Sequence, residues 1–162
     1  MRSKLSQEVI RMLELDTMMT TEVITIGVDD NLDTARQIMH DKRIRHLPVV
    51  DAENSVVGLI TITNVLAATD SFLRDDDSKL HPDQIPVSDV MVSDVITVDE
   101  HAGIRQAAIF LEKHRIGCLP VVTDGELRGI VTDTDFVGVA INLLEQLETV
   151  DDADFEYEEV GF

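Results

Sequence analysis

The chain has 162 residues, 44% of them hydrophobic, and carries 32 acidic against 13 basic residues for a formal net charge of −19 at pH 7. That charge excludes a nucleic-acid-binding role, because a polyanion is held by lysines and arginines that displace its counterions. No apolar run approaches the ~18 residues of a membrane-spanning helix, the N-terminal MRSKLSQEVIRMLEL lacks the uninterrupted apolar core of a signal peptide, and one cysteine, Cys118, allows no internal disulfide or thiolate cluster. The expectation is a cytoplasmic protein without a membrane partner, with Cys118 as a buried core thiol. Acidity spread through the whole chain also resembles proteins of a salt-rich, halophilic cytoplasm, where repulsion between carboxylates is screened.

In chain order, Leu5, Val9, Met12 and Leu13 fall at i, i+4, i+7 and i+8, which predicts a short amphipathic helix over 3–15. The β-branched stretch 23–26 predicts a strand. Asn31 is placed to cap a helix running to about Lys42, with Leu32, Ala35 and Met39 on one face. HLPVV at 46–50 predicts a strand whose proline suits a first residue or an edge, followed by a polar turn over 51–55 and a strand over 56–61. A second helix is expected over 63–68. Residues 70–86, with aspartates at 75–77 and prolines at 82 and 86, show no apolar period and read as a linker. The cycle then restarts with a strand at 95–98, a helix at 104–114 directing Ile104, Ala107, Ala108 and Leu111 inward, a strand at 119–122, a turn around Gly125, a strand at 127–132 and a helix at 134–147. The acidic residues 148–162 are expected to be a disordered tail.

Laying 19–50 over 91–122 at a constant offset of 72 gives identity at Met19, Val23, Ile24, Thr25, Ala35, Arg43, Ile44, Leu47, Pro48, Val49 and Val50, which is 11 matches in 32 pairs. Ordinary amino-acid usage gives roughly two. With one residue dropped in the next turn, GLITITN at 58–64 falls on GIVTDTD at 129–135. The chain is therefore a tandem repeat, divided into an N-terminal helix (1–15), a first repeat (16–69), a linker (70–86), a second repeat (87–147) and a tail (148–162). Each βαββα unit has strands too few and too short to bury both faces alone. The expected fold class is α/β, with two units packed around a pseudo-two-fold axis.

Thr132 lies where a strand meets a helix and Asp135 sits in that helix's first turn, where free backbone amides and the positive dipole end make an anion site. A threonine hydroxyl can donate to a phosphate, and an aspartate can accept from a ribose diol. The same spacing is also a helix capping box with no ligand. Arg115, and its twin Arg43, precede the LPVV strands, where a planar guanidinium suits phosphate; a solvated helix end favouring a cation is the alternative. His46, His101 and His114 are dispersed without metal-site spacing and read as surface residues, as do His40 and His81. No nucleophile with a neighbouring base and no glycine-rich phosphate loop is present, so no catalytic residue is assigned and no enzyme is expected.

Taken together, MVSDVITV, a helix, HRIGCLPVV, a turn and GIVTDTD resemble a cystathionine-beta-synthase (CBS) domain, and the repetition resembles a CBS pair, or Bateman module, over 16–147. The resemblance implies binding of adenosine-containing ligands (AMP, ADP, ATP, S-adenosylmethionine or NAD(H)) in clefts between the repeats, with no cofactor or metal. It implies a hydroxyl to phosphate from Thr132, a carboxylate to ribose from Asp135, basic contacts from His114 and Arg115, and an adenine pocket around Thr97 and, in repeat 1, Thr25. Repeat 1 departs from the pattern: it offers Arg43 and Thr61 but ends in Asn64, an amide that hydrogen-bonds a ribose hydroxyl without the charge. A stand-alone regulatory module is implied, a homodimer that senses adenine nucleotides and acts on an unidentified protein. The competing expectation is a structural or interaction module whose pockets bind nothing.

Overall fold

The computed structural model describes residues 15–74 and 81–154; the predicted helix over 3–15 lies, but for its last residue, outside them. In repeat 1, β1 (Ile26–Gly27) is followed by α1 (Leu32–Lys42), β2 (His46–Val50), β3 (Val56–Thr61) and α2 (Ile62–Arg74). In repeat 2, β4 (Val98–Asp99), α3 (Ile104–His114), β5 (Cys118–Thr123), β6 (Glu126–Thr132) and α4 (Asp133–Asp154) follow in the same order. Each repeat builds one three-stranded sheet, β1-β2-β3 and β4-β5-β6, with the first pair parallel and the second antiparallel.

Asn31 caps α1 as expected, its Oδ1 accepting from Thr34 N–H at 2.9 Å. The opening strands are shorter than the pattern 23–26 and 95–98 predicts. Only Ile26 and Gly27 pair with Val49 and Val50, and only Val98 and Asp99 with Val121 and Val122. Pro48 and Pro120, the residues that would come next in each ladder, have no N–H to extend it, so Thr25 and Thr97 lie outside the strands. The antiparallel partners of these prolines, Leu59 and Ile130, lie on the opposite side.

Three expected boundaries are revised. The second helix of repeat 1 extends to Arg74. The supposed linker is structured over 81–89, with short 3₁₀ turns at Pro82–Gln84 and Val87–Asp89 and with Ile85 and Val87 buried. The final helix continues through the start of the expected tail to Asp154.

These revisions follow from an exchange between repeats. The core beneath the first sheet, built on Leu32, Met39, Leu47, Val49, Ile60 and Val65, is completed by Ile85 and Val87, with Val90 and Met91 packed against it. The second core, built on Val98, Ala107, Leu119, Val121 and Val131, is completed by Leu15, with Met18 and Met19 against it. Each repeat's leading segment thus packs in the other repeat's core. Backbone hydrogen bonds fasten both crossings: Thr20 pairs with Ile130 at 2.9 Å in each direction, and Val92 with Leu59 at 2.8 and 2.9 Å. Gly58 and Gly129 make these approaches feasible, since an added Cβ would stand 3.0 Å or less from Met91 Cγ and Met19 Cγ respectively. The hairpin tips join as well, Leu127 N–H donating to Asn54 O at 3.2 Å.

Candidate functional site

A cleft of about 340 Å³ opens where the leading segment of repeat 1 crosses onto β6. One wall is Thr132, Asp133, Thr134 and Asp135 at the β6–α4 junction, and the other is Thr20, Glu22, Val23 and Ile24 with the run Arg43, Ile44, Arg45 and His46. Both repeats build it. The leader exchange is the cause, since it carries residues 20–24, and behind them the α1–β2 junction, against the end of the opposite repeat's last strand.

At the junction the returning half of the capping box is formed. Asp135 Oδ2 accepts from Thr132 N–H at 2.7 Å and from Thr132 Oγ1 at 2.8 Å. This satisfies a backbone donor that the helix itself cannot, yet it uses one oxygen only; Oδ1 makes no hydrogen bond among the described residues. Capping and ligand recognition are therefore compatible in one carboxylate. Repeat 1 repeats the geometry, with Asn64 Oδ1 accepting from Thr61 N–H at 3.1 Å and from Thr61 Oγ1 at 2.7 Å. An amide oxygen committed to that pair leaves the donating NH₂ group as the free end of Asn64, where Asp135 leaves an acceptor. The first turn of α4 contains Asp133 and Asp135, while that of α2 contains no acid.

Arg43 occupies the left-handed region at φ 55° as the C-cap of α1, its N–H directed to Met39 and His40 carbonyls. Glycine is the usual residue for that cap, so an arginine there, repeated as Arg115 at φ 53°, accepts backbone strain for its side chain. His46 is half-buried and faces the second repeat: a Cβ added to Gly117 would lie 2.9 Å from His46 Nε2 and 3.7 Å from Asp133 Oδ2. Burial pushes the His46 imidazolium pKa below its usual value, opposed by the Asp133 carboxylate and reinforced by Arg45. Cys118, next along, is 1% exposed and its thiol is pushed up to about 12 by burial and by Asp133; it is the core thiol the sequence suggests.

The structure regroups the predicted residues. Thr132 and Asp135 share the cleft with Arg43 of the other repeat, whereas Arg115 and His114 end α3 in solvent outside it, His114 meeting the Phe110 ring edge-on at 6.1 Å. Thr97 lines a separate depression with His101, Gln106 and Phe110. Thr25 is half-buried beside the cleft residue Ile24 without lining it. Thr61 and Asn64 hold the equivalent junction in repeat 1. Arg45 and Glu22 were not singled out from the sequence, and His46, read there as a surface residue, is half-buried in the cleft; the signal was the pair Arg45–His46 standing where repeat 2 has Gly117–Cys118. Among the described residues no group of three or more His, Cys, Asp or Glu side chains is arranged to hold a metal ion, and no helix is long and apolar enough to cross a membrane.

Comparison with known proteins places this architecture. The CBS domain family model matches residues 14–71 and 87–142. A CBS domain-containing protein of Dictyostelium discoideum is 32% identical over 79% of this chain and 91% of its own length. Inosine-5′-monophosphate dehydrogenase of Thermoplasma acidophilum is 34% identical over 84% of this chain, which spans only 25% of that enzyme. Among solved structures, a Vibrio cholerae protein named for acetoin utilization (AcuB) is 40% identical with a TM-score of 0.75, covering 85% of this chain and 98% of its own. The CBS domain pair of MJ0100, in complex with 5′-methylthioadenosine and S-adenosyl-L-methionine, is 25% identical with a TM-score of 0.70, covering 80% and 96%. CBSX2, in complex with AMP, is 26% identical with a TM-score of 0.69, covering 81% and 98%. With two matched domains joined by reciprocal leading segments, the chain belongs to the CBS domain family, as a tandem CBS pair.

Proposed function

We propose that this CBS pair is a regulatory module, without catalytic activity of its own, that binds an adenosine-containing ligand of the AMP, ADP or ATP class in the cleft headed by Asp135. The observation that carries the reading is the convergence there of a free acceptor (Asp135 Oδ1, held in place by the Thr132 hydroxyl on Oδ2), two guanidinium groups (Arg43 and Arg45) and an apolar wall (Val23 and Ile24). A ribose diol, a phosphate and a purine ask for those three chemistries. The complexes of MJ0100 and CBSX2 with adenosine compounds support it. Thermal shift with AMP, ATP, S-adenosylmethionine and NADH is the test. A ligand at 100 Kd adds about 2.7 kcal/mol, or about 5–10 °C for a chain of this size. No shift with any of the four would favour the second reading, an interaction module in which Asp135 only caps α4, for which its two bonds to Thr132 speak.

The proposal includes a homodimer. Val137, Ile141 and Leu144 recur at helical spacing on one face of α4, each at least half exposed, and Leu66 on α2 is 55% exposed. A two-fold contact between copies would cover such a stripe. Light scattering at high salt should give a dimer mass, and Ile141→Glu should give a monomer. Ligand binding at the α4 N-terminus would reach the protein it regulates through that same helix.

A further inference from the structure

We infer that His46 sets the choice of this cleft between phosphorylated and unphosphorylated ligands by taking up a proton as an anionic ligand enters. The inference rests on the cleft's reading as an adenosine site and adds how it discriminates. Its fixed charges are Arg43 and Arg45 against Glu22, Asp133 and Asp135, two cations and three anions. With His46 neutral the lining carries −1, and with His46 protonated it is balanced. Histidine is the side-chain type whose ordinary charge change falls near neutral pH.

The position of the ring makes that charge count. His46 begins β2, where it pairs with uncharged Thr61. It leans across the repeat boundary over Gly117, on the same side as Asp133. Cys118, next to Gly117 in β5, is buried in the core and its thiol is pushed up to about 12. Among the described residues no hydrogen bond or ion pair joins His46 to Asp133, so the ring is not already committed to a carboxylate. Burial lowers its pKa and so favours the neutral ring, against the pull of Asp133. A phosphate beside it would favour the imidazolium, by the same attraction that an opposite charge always exerts on a titrating group. Neutral adenosine would not. Repeat 2 has Cys118 at the equivalent position, so the device belongs to this cleft alone of the two junctions.

The experiment is calorimetry of AMP and of adenosine near neutral pH in buffers of differing ionisation heat, whose slope counts protons. The AMP phosphate, with a second pKa of about 6, exchanges protons in wild type and His46→Gln alike, so wild type should take up a fraction of a proton more than His46→Gln with AMP and no more than it with adenosine. AMP affinity should rise as pH falls from about 8 to 6.5 by more than adenosine affinity does, up to the limit of tenfold per pH unit for one linked proton. His46→Gln should remove that excess and make AMP affinity rise less steeply as pH falls. Gly117→Ala, which displaces the ring without removing it, should reduce both, and apo melting curves verify that each variant folds. Equal proton counts in wild type and His46→Gln overturn the inference while leaving the adenosine site standing. If neither AMP nor adenosine binds, the site reading and this inference fall together.

Discussion

Replacing Asp135 by asparagine and by alanine separates its two duties, because the protein already contains an asparagine version of the same junction. In repeat 1 an amide oxygen satisfies the Thr61 N–H and hydroxyl at 3.1 and 2.7 Å, so Asp135→Asn should preserve the cap over Thr132. What it removes is the charged, acceptor-only oxygen facing the cleft. A hydrogen bond to a charged group contributes about 1.5–3 kcal/mol, which predicts adenosine binding weaker by about 10- to 100-fold. The melting temperature of the ligand-free protein should move little. Asp135→Ala loses both functions: the same or greater loss of affinity, plus about 0.5–2 kcal/mol for the missing cap, or roughly 1–8 °C for a chain of this length. Isothermal titration beside apo melting curves measures both. If Asp135→Asn binds as tightly as wild type while Asp135→Ala melts early, Asp135 is a helix cap and nothing more, and the assignment of this cleft fails.

Three further outcomes follow from the packing and burial. Gly58→Ala and Gly129→Ala each drive a methyl into a methionine of the crossing segment, so each should destabilise by about 1–3 kcal/mol in chemical denaturation; unchanged midpoints would refute the tight crossings. Expressed separately, 1–78 and 79–162 each lack the other's core-completing segment, Ile85 and Val87 for one and Leu15 for the other, and should be unfolded or associating until mixed. Two stable monomeric halves would contradict the exchange. Two pH limits have definite signs. The folded His46 pKa lies below its unfolded value, so the unfolded chain binds the extra proton and stability falls as pH drops below about 6.5. The Cys118 thiol, ordinarily near 9.0 and here about 12, keeps its proton in the fold, so stability falls as pH rises above 9.0. Comparing melting curves of wild type, His46→Gln and Cys118→Ala across pH isolates each contribution; parallel profiles would disprove it.

The sequence by itself determined the repeat, the order of elements and the motif that forms the β6–α4 junction. Those are local properties: hydrophobic periodicity selects helix or strand, Asn31 caps a helix wherever it stands in front of one, and GIVTDTD marks a strand running into a helix. Alignment of 19–50 with 91–122 needed no structure either. Its limit lay in partnership. The resemblance implied clefts between the repeats, but grouping Thr132 and Asp135 with Arg115 kept to side chains of one repeat, because sequence proximity is the only proximity a sequence displays. The tertiary structure paired them with Arg43, Arg45 and His46. Leu15, Ile85 and Val87 reveal why: each buries its apolar surface in the opposite repeat's core, a choice decided by which hollow each side chain fills and by which strand edge, β3 or β6, was open. The same packing turned a polar stretch with two prolines into structure over 81–89. His46 changes role for the same physical reason, since one glycine at 117, 71 positions away in the chain, makes room for its ring.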